Sequence, residues 1–122
     1  MADEVLQLLM DGWAMAMAGD FASLDAICTE DCQIWHSSDD KWMLQREALQ
    51  GFIAARDMGR IPEFERVRIM ATAKGFLCQA EMSLAQIGTL HITQIVTTSG
   101  SRVTHVEEYI APEMDLAAQM TA

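Results

Sequence analysis

The sequence predicts an α+β fold in which a curved antiparallel sheet wraps around N-terminal helices and a cavity that they line. The N-terminal half of the chain has three segments with helical spacing of apolar residues and one short β-like run. The C-terminal half has four runs rich in Val, Ile, Thr and other strand formers, separated by short loops that contain glycine. Helices followed by consecutive paired strands are typical of this class, because a βαβ alternation would instead give a parallel sheet.

Length and charge narrow the possible organisation and partners. A chain of 122 residues is close to the usual size of one domain, so we predict a single domain over residues 1–122. The formal net charge of −10 repels phosphate backbones and anionic lipid, which argues against nucleic acid and membrane partners. No apolar run approaches the ~18 residues of a membrane span. The acidic start, Met1–Glu4, lacks the basic region of a secretory signal, so we expect a cytoplasmic protein.

Three helices are predicted before the main sheet. Asp3 can cap a first helix that ends near Gly19, and Asp20 can begin a short second one. A third helix is predicted over residues 44–58, with Gly59 beyond its end. The apolar residues that face inward on the first two helices are Val5, Leu6, Leu9, Trp13, Ala16, Met17, Phe21, Leu24 and Ile27. Trp13 is either a core residue or a ligand contact, because its indole N–H gives this apolar stripe a polar tip.

A β-like run over residues 32–36 leads into an unusually polar and aromatic loop. Alternation along a strand places Trp35 and Ser37 on one side and His36 on the other, so only one set can line a cavity. The alternative is that His36 is a surface residue, and that Asp39 and Asp40 are solvated turn residues. The candidate ligand-binding residues are Trp13, Trp35, His36, Ser37 and Asp39.

The first long hairpin is predicted to turn at Lys74-Gly75, between strands at 63–73 and 76–86. This register gives the hairpin one apolar face and pairs Arg68 with Glu81 on the other face. The apolar face would contain Val67, Ile69, Ala71 and Ala73 on one strand, and Phe76, Cys78, Ala80 and Met82 on the other.

The last hairpin, over residues 89–110, contains the best acid/base candidate. A two-residue turn at Ser99-Gly100 places His91 opposite Glu108, with Cβ atoms ~5 Å apart. An imidazole and a carboxylate at that separation can share a hydrogen bond and act as a general acid/base pair. A short closing helix is predicted over residues 112–120.

The same register places His105 opposite Gln94, on the outer face of the sheet with Glu107 and Tyr109. We expect His105 to be an interface residue rather than a catalytic one. The apolar residues Ile92, Val96 and Val103 would then remain on a sheet face available for a homodimer.

Cysteine and histidine spacing gives no metal site. The three cysteines, Cys28, Cys32 and Cys78, lie among apolar neighbours and are expected to be reduced, buried thiols. The histidines at 36, 91 and 105 do not share one predicted face, so we expect no metal requirement. Nucleophile-elbow, phosphate-loop and Rossmann motifs are missing from the sequence, which argues against nucleophilic catalysis. We expect no cofactor.

The order of several short motifs makes nearly the whole chain resemble the SnoaL-like polyketide cyclase group of the nuclear transport factor 2-like (NTF2-like) superfamily. The motifs are Gly19-Asp20, Asp31 to Trp35-His36, Lys74-Gly75-Phe76, Gly100-Ser101-Arg102-Val103 and Glu107-Glu108-Tyr109. The resemblance implies a SnoaL-like domain with a cone-shaped, cystatin-like α+β barrel, an apolar pocket and a homodimer formed through the outer sheet faces.

The superfamily includes ketosteroid isomerases, polyketide cyclases and limonene-epoxide hydrolases. Many members have an acidic residue on the last strand, just before an aromatic one, that points into the cavity, and Glu108 before Tyr109 matches that position. Glu107 would then face outward. Many similar members carry Trp-His-Asn at the end of the first strand, whereas this chain has Trp35-His36-Ser37. The missing Asn argues against epoxide hydrolysis, in which an amide there helps to hold the attacking water.

Two hypotheses for function follow. In the first, the protein is a cofactor-free isomerase, cyclase or hydrolase that acts on a small apolar carbonyl or epoxide with Glu108 and His91 as the catalytic pair. In the second, the protein binds a small hydrophobic molecule without catalysis, and the same pair supplies one anchoring hydrogen bond.

Overall fold

The structure is a computed structural model that describes residues 2–121. Four helices and six strands lie within these residues, in the order that the sequence predicts except for one short strand at Lys41–Leu44, which was not predicted. They are α1 (Ala2–Met17), α2 (Leu24–Ile27, preceded by a 3₁₀ turn at Phe21–Ser23), β1 (Cys28–His36), β2 (Lys41–Leu44), α3 (Gln45–Asp57), β3 (Glu65–Thr72), β4 (Gly75–Leu84), β5 (Gly88–Ser99), β6 (Arg102–Pro112) and α4 (Leu116–Thr121).

The strands form one curved sheet in the order β2-β1-β6-β5-β4-β3, so the α+β prediction is confirmed. The first long strand lies beside the last, and β1 and β6 run parallel, while the other neighbours are antiparallel. The sequence did not predict β2. It forms because the polar stretch after His36 is a tight turn in which Asp40 has a positive φ of 56°, a conformation that Asp tolerates better than most residues.

The helices α1, α2 and α3 cover the inner face of the sheet, and the core lies between these helices and the sheet. Most of the apolar positions predicted for α1 and α2 are buried there, including Leu9, Trp13 and Phe21. Two predicted caps differ from the structure: Asp3 lies inside the first turn of α1, and the side chain of Asp20 makes no capping hydrogen bond. None of the helices within residues 2–121 is long and apolar enough to cross a membrane.

The first hairpin is shifted by two residues from its predicted register. Thr72 pairs with Gly75, so the turn residues are Ala73 and Lys74, and Gly75 belongs to β4. Glycine is needed inside this strand because a Cβ atom at residue 75 would overlap the carbonyl oxygen of Val96 on β5. An even shift keeps the side chains of β4 on their predicted faces, and the apolar face of β4 is buried as expected. On β3 a bulge between Glu65 and Arg68 breaks the register, and Val67 is exposed. The shift replaces the predicted Arg68–Glu81 pair with hydrogen-bonded Arg68 and Gln79.

The last hairpin is shifted by an odd number of residues, which overturns the predicted pairing of His91 with Glu108. The turn lies at Gly100-Ser101, and Thr104 is an extra residue in β6, because Thr98 pairs with Val103 and Thr97 with His105. Together these two features move the pairing by three residues. His91 therefore faces Ala111, and Glu108 faces Gln94.

The same shift exchanges the faces of β5. Three residues that were expected on a surface available for a homodimer are instead buried in the core: Ile92, Val96 and Val103. His105 is exposed on the outer face, as predicted, although its partner is Thr97 rather than Gln94. The closing helix begins only at Leu116, because β6 continues to Pro112.

Candidate functional site

A cavity of about 580 Å³ lies between the helices and the inner face of the sheet. Its size falls in the range of small-molecule sites, about 300–1,000 Å³. Most of its wall is apolar, and Phe21, Phe52 and Phe64 form an aromatic cluster on one side. The polar residues in the wall are His36, Gln45, Glu47, Arg60, Gln94 and Glu108.

Three side chains from α1, β5 and β6 form a hydrogen-bonded chain in this wall. The Trp13 Nε1–H donates to Gln94 Oε1 at 2.8 Å, and Gln94 Nε2 donates to Glu108 Oε2 at 2.7 Å. Trp13 and Gln94 are almost fully buried, at 2% and 6% exposure. Burial in a low-dielectric wall strengthens such bonds and fixes the geometry of the groups that make them.

The direction of these two hydrogen bonds is fixed. An indole N–H only donates, so the amide of Gln94 must turn its oxygen toward Trp13 and its NH₂ group toward Glu108. One carboxylate oxygen of Glu108, Oε2, therefore accepts a hydrogen bond and cannot carry a proton on that side. The other oxygen, Oε1, accepts no side-chain hydrogen bond from the described residues.

His36 lies beside that second oxygen. The parallel pairing of β1 with β6 places His36 next to Glu108, and Nε2 is 3.6 Å from Oε1. This separation is too long for a hydrogen bond but short enough for a strong charge interaction when the imidazole is protonated. The two side chains are 21% and 14% exposed, so both remain reachable from the cavity.

The structure brings two of the five candidate ligand-binding residues, Trp13 and His36, into the cavity wall. Trp35 lies on the outer face of the sheet, where its ring packs edge-on against Tyr109 and its Nε1–H donates to Asp40 at 2.9 Å. Ser37 Oγ accepts the backbone N–H of Ile110 at 2.9 Å, which ties the end of β1 to β6.

Two further predicted site residues lie outside the cavity. Asp39 belongs to the turn before β2, where its Oδ1 accepts the backbone N–H of Lys41 at 3.2 Å. His91 is half exposed on the outer face and contacts Glu113, with 3.1 Å between Nε2 and Oε1. The predicted acid is therefore in the cavity, but its imidazole neighbour is His36.

The cysteines are not positioned as nucleophiles. All three are buried, and no disulfide joins them within residues 2–121. Burial raises the pKa of the Cys78 thiol to about 12, so it stays protonated at neutral pH. A side-chain hydrogen bond between Cys28 and Cys32 raises the pKa of Cys28 and lowers the pKa of Cys32. The part of the chain that the structure describes contains no group of three His, Cys, Asp or Glu side chains suited to a metal.

Sequence reasoning missed Gln94, Gln45 and Arg60. An inward-facing glutamine is visible as a polar residue between the apolar Ile92 and Val96 of β5, but only the correct register shows that it contacts the acid. Gln45 is the first residue of α3 and Arg60 lies just beyond its end, so both look like ordinary helix-end residues. Only the structure shows that both residues line the cavity.

Comparison with known proteins yields structural neighbours only. No family model and no curated protein sequence matches this chain. An NTF2-like protein of unknown function from Burkholderia xenovorans LB400 superposes with a TM-score of 0.72 at 20% identity, over 96% of this chain and 93% of that one.

Two further solved structures extend the comparison. A hypothetical protein with a ketosteroid isomerase-like fold from Catenulispora acidiphila, in complex with trimethylamine, gives a TM-score of 0.58 at 16% identity over 83% of each chain. A phenazine biosynthesis-related protein from Pseudomonas aeruginosa gives 0.62 at 11% identity, over 99% of this chain and 88% of that one. The chain thus has the NTF2-like fold.

Proposed function

We propose that this NTF2-like chain binds a small apolar carbonyl compound in its cavity and moves a proton on it, with Glu108 as the general base and acid and His36 as its charge partner. One observation carries the proposal: the two carboxylate oxygens of Glu108 have different neighbours. Gln94 donates a hydrogen bond to Oε2, whereas Oε1 lies beside His36 in the cavity. A carboxylate held in this way in an apolar wall is already oriented toward one reacting atom.

The chemistry requires no cofactor. Glu108 Oε1 takes a proton from the carbon next to the carbonyl, which leaves an enolate and a neutral carboxylic acid. In a substrate whose α-carbon lies between the carbonyl and a C=C bond, the acid returns the proton to the γ-carbon of the dienolate, and the net reaction is an isomerisation. In a ring closure, the enolate carbon instead attacks a second carbonyl of the substrate, and the acid gives its proton to the alkoxide that forms. His36, whose Nε2 lies 3.6 Å from Oε1, stabilises negative charge at this end of the cavity when its imidazole is protonated.

A second candidate function is binding without catalysis. The Catenulispora neighbour holds trimethylamine, a small amine that is a cation at neutral pH. In this chain a carboxylate faces a cavity lined by Trp13 and three phenylalanines, which are groups that attract an ammonium ion. In that case Glu108 would anchor the ligand and no proton would be transferred to carbon.

One experiment separates the two functions without knowledge of the natural ligand. The bicyclic ketone 2-tetralone is incubated with the protein in D₂O, and NMR follows the loss of its α-protons over the buffer rate. Proton transfer predicts faster exchange in the wild type and a return to the buffer rate in Glu108→Gln. Saturable binding with no faster exchange would rule out the enzyme and leave the binding protein.

A further inference from the structure

We propose that Arg60 forms an anion subsite at the rim of the cavity, which binds a carboxylate on the ligand while the carbonyl of the ligand lies at Glu108. The inference rests on the proposed function, since it takes the carbonyl end to lie at Glu108. It makes the ligand class a keto acid rather than a purely apolar ketone.

Arg60 is a cation of the cavity wall that has no partner in the protein. Among the described residues that line the cavity it is the only lysine or arginine, and its side chain is also exposed to solvent, which places it at the rim. It makes no salt bridge and no side-chain hydrogen bond within residues 2–121. Four other arginines each have a partner: Arg56 pairs with Glu63, Arg66 with Glu81, Arg68 with Gln79, and Arg102 donates to the backbone carbonyl of Ala26. In a chain with a net charge of −10, such a guanidinium is available to an anion from outside the protein.

The loop after α3 fixes the backbone on both sides of Arg60. Its own N–H donates to the carbonyl oxygen of Ala55 at 3.0 Å, which ties residue 60 to the last turn of the helix. Four residues later, the ring of Phe64 stacks on Phe52 of α3, with 5.7 Å between the ring centroids. Binding an anion at Arg60 would therefore order a side chain but not the backbone that carries it, which limits the entropic cost.

The charges in the wall favour one orientation of such a ligand. The carboxylates in the described wall are Glu47 and Glu108, and each repels an anion. Glu47 lies in the first turn of α3 and Arg60 follows the last, so the length of helix between them is ~15 Å. Glu108 is on β6, and Arg60 precedes β3, which lies three strand spacings away, or ~14 Å across the sheet. The anionic end of the ligand is therefore favoured at Arg60, and its uncharged carbonyl end is left to Glu108.

A carboxylate is the anion that this site fits best. A guanidinium has a planar fork of donors that can bind both oxygens of one carboxylate. A phosphate monoester carries nearly two negative charges at neutral pH, and Arg60 is a single cation in a wall that is otherwise mostly apolar. One guanidinium neutralises one carboxylate, so the rest of the ligand can remain apolar.

The test compares a charged probe with a neutral probe of the same size. Titration calorimetry gives the dissociation constants of 2-tetralone derivatives that carry a carboxylate at position 5, 6 or 7, and of the three matching carboxamides. At an ionic strength of about 0.05 M, at least one carboxylate should bind the wild type about 5-fold more tightly than its carboxamide, the effect of a well-formed ion pair at the surface. Raising the salt to about 0.5 M should bring this ratio toward 1, because salt screens an exposed pair.

Substitutions of Arg60 should change the ratio in two steps. Arg60→Gln removes the charge, so the carboxylate and the carboxamide should bind equally. Arg60→Glu reverses the charge, so the carboxamide should bind more tightly than the carboxylate. The side chain is exposed and has no partner, so circular dichroism should show normal folding for both variants.

Arg46→Gln is the matched control. It removes the same charge from an exposed arginine of α3 that lines the small cavity beside Thr29 rather than the main one. The preference for the carboxylate should persist in this variant. Its loss in Arg46→Gln as well as in Arg60→Gln would show that net charge controls binding, and would overturn the subsite.

The other outcomes separate failure of the subsite from failure of the proposed function. Equal affinities of each carboxylate and its carboxamide for the wild type at low salt, or a preference that survives Arg60→Gln, would overturn the subsite. The α-proton exchange of 2-tetralone itself, which carries no anionic group, reports on Glu108 alone. Absence of that exchange with an intact carboxylate preference would refute proton transfer and leave the subsite standing. If no probe binds at millimolar concentration, both proposals are overturned.

Discussion

At the scale of single residues, Glu108 is distinguished by having different neighbours at its two oxygens. Glu108→Gln preserves shape and the capacity to bond Gln94, but removes the proton acceptor. We therefore expect normal folding by circular dichroism and a loss of about 10²- to 10⁴-fold in the rate of α-proton exchange. His36→Gln should cost less alone, and still less in the Glu108→Gln background, because groups that act as a unit are not additive.

His91→Gln is the control for the single and double substitutions of His36 and Glu108. His91 lies on the outer face, where it contacts Glu113 rather than the cavity. This variant should exchange α-protons at the wild-type rate. Additive effects of the His36 and Glu108 substitutions would show that the two residues act independently.

A second residue-scale prediction concerns the response to alkaline pH. The pKa of Cys78 is raised by burial from 9.0 to about 12, so the unfolded chain loses this proton at a lower pH than the folded chain. The contribution of Cys78 to stability is therefore full below pH 9 and is lost as the pH rises from 9 toward 12, at up to about 1.4 kcal/mol per pH unit. Urea unfolding at pH 8 and pH 10 should show a smaller alkaline loss for Cys78→Ala than for the wild type. Equal losses in the two proteins would contradict this assignment.

At the scale of secondary-structure elements, the sequence predicts what depends on local periodicity. Apolar spacing predicts the bounds of α3 to within one residue at each end. It also predicts correctly which face of β4 is buried. Hairpin register was less predictable because it depends on which residue occupies the turn. Lys74-Gly75 has the composition of a turn, but Gly75 is a strand residue that is glycine because β5 passes close to it. The extra residue Thr104 in β6 leaves the buried Val103 and Val106 three positions apart, a break in the alternation that the predicted register did not use.

The close approach of β5 to Gly75 gives a prediction about strand packing, for which Gly51 is the control. Gly75→Ala places a methyl group against the carbonyl oxygen of Val96, a backbone atom that cannot move aside without disturbing the β4–β5 pairing. We expect it to lower the free energy of unfolding by about 2–3 kcal/mol, as overpacked sites do. Gly51→Ala, inside α3 with open space around it, should instead stabilise by about 0.5–1 kcal/mol. Chemical denaturation measures both, and a harmless Gly75→Ala would contradict the close approach.

At the scale of the whole molecule, the candidate site joins opposite ends of the chain. Trp13 and His36 come from the first elements, and Gln94 and Glu108 from the last two strands. Sequence reasoning chose the acid from a hairpin register that is wrong and from its match to last-strand acids of the superfamily, and it named His36 as one of two alternatives. It could not pair them, because the parallel contact of β1 with β6 is a long-range event that no local pattern records.

The outer face of the sheet carries an apolar row that crosses all six strands. Register aligns one residue of each strand in this row, in the order Trp42, Trp35, Glu107, Ile95, Leu77 and Met70. Five of the six are apolar, and several are substantially exposed. Such a face is the kind of surface that monomeric proteins avoid and that a symmetric partner can cover. The sequence prediction of a homodimer relied on Ile92, Val96 and Val103, which are buried. The prediction below is based on this exposed row instead.

We expect the chain to form a homodimer through this row. Light scattering at tens of micromolar should give twice the monomer mass, and Ile95→Glu should reduce it to the monomer mass by placing a charge at the centre of the row. Ile87→Glu adds the same charge at a more exposed isoleucine, in the turn before β5 and away from the row, and should leave the mass unchanged. Because each chain carries a net charge of −10, dimerisation should strengthen as salt rises toward 0.5 M and screens the repulsion. A wild-type monomer at every salt concentration would contradict the interface, and equal effects of the two glutamates would show that charge, not position, controls association.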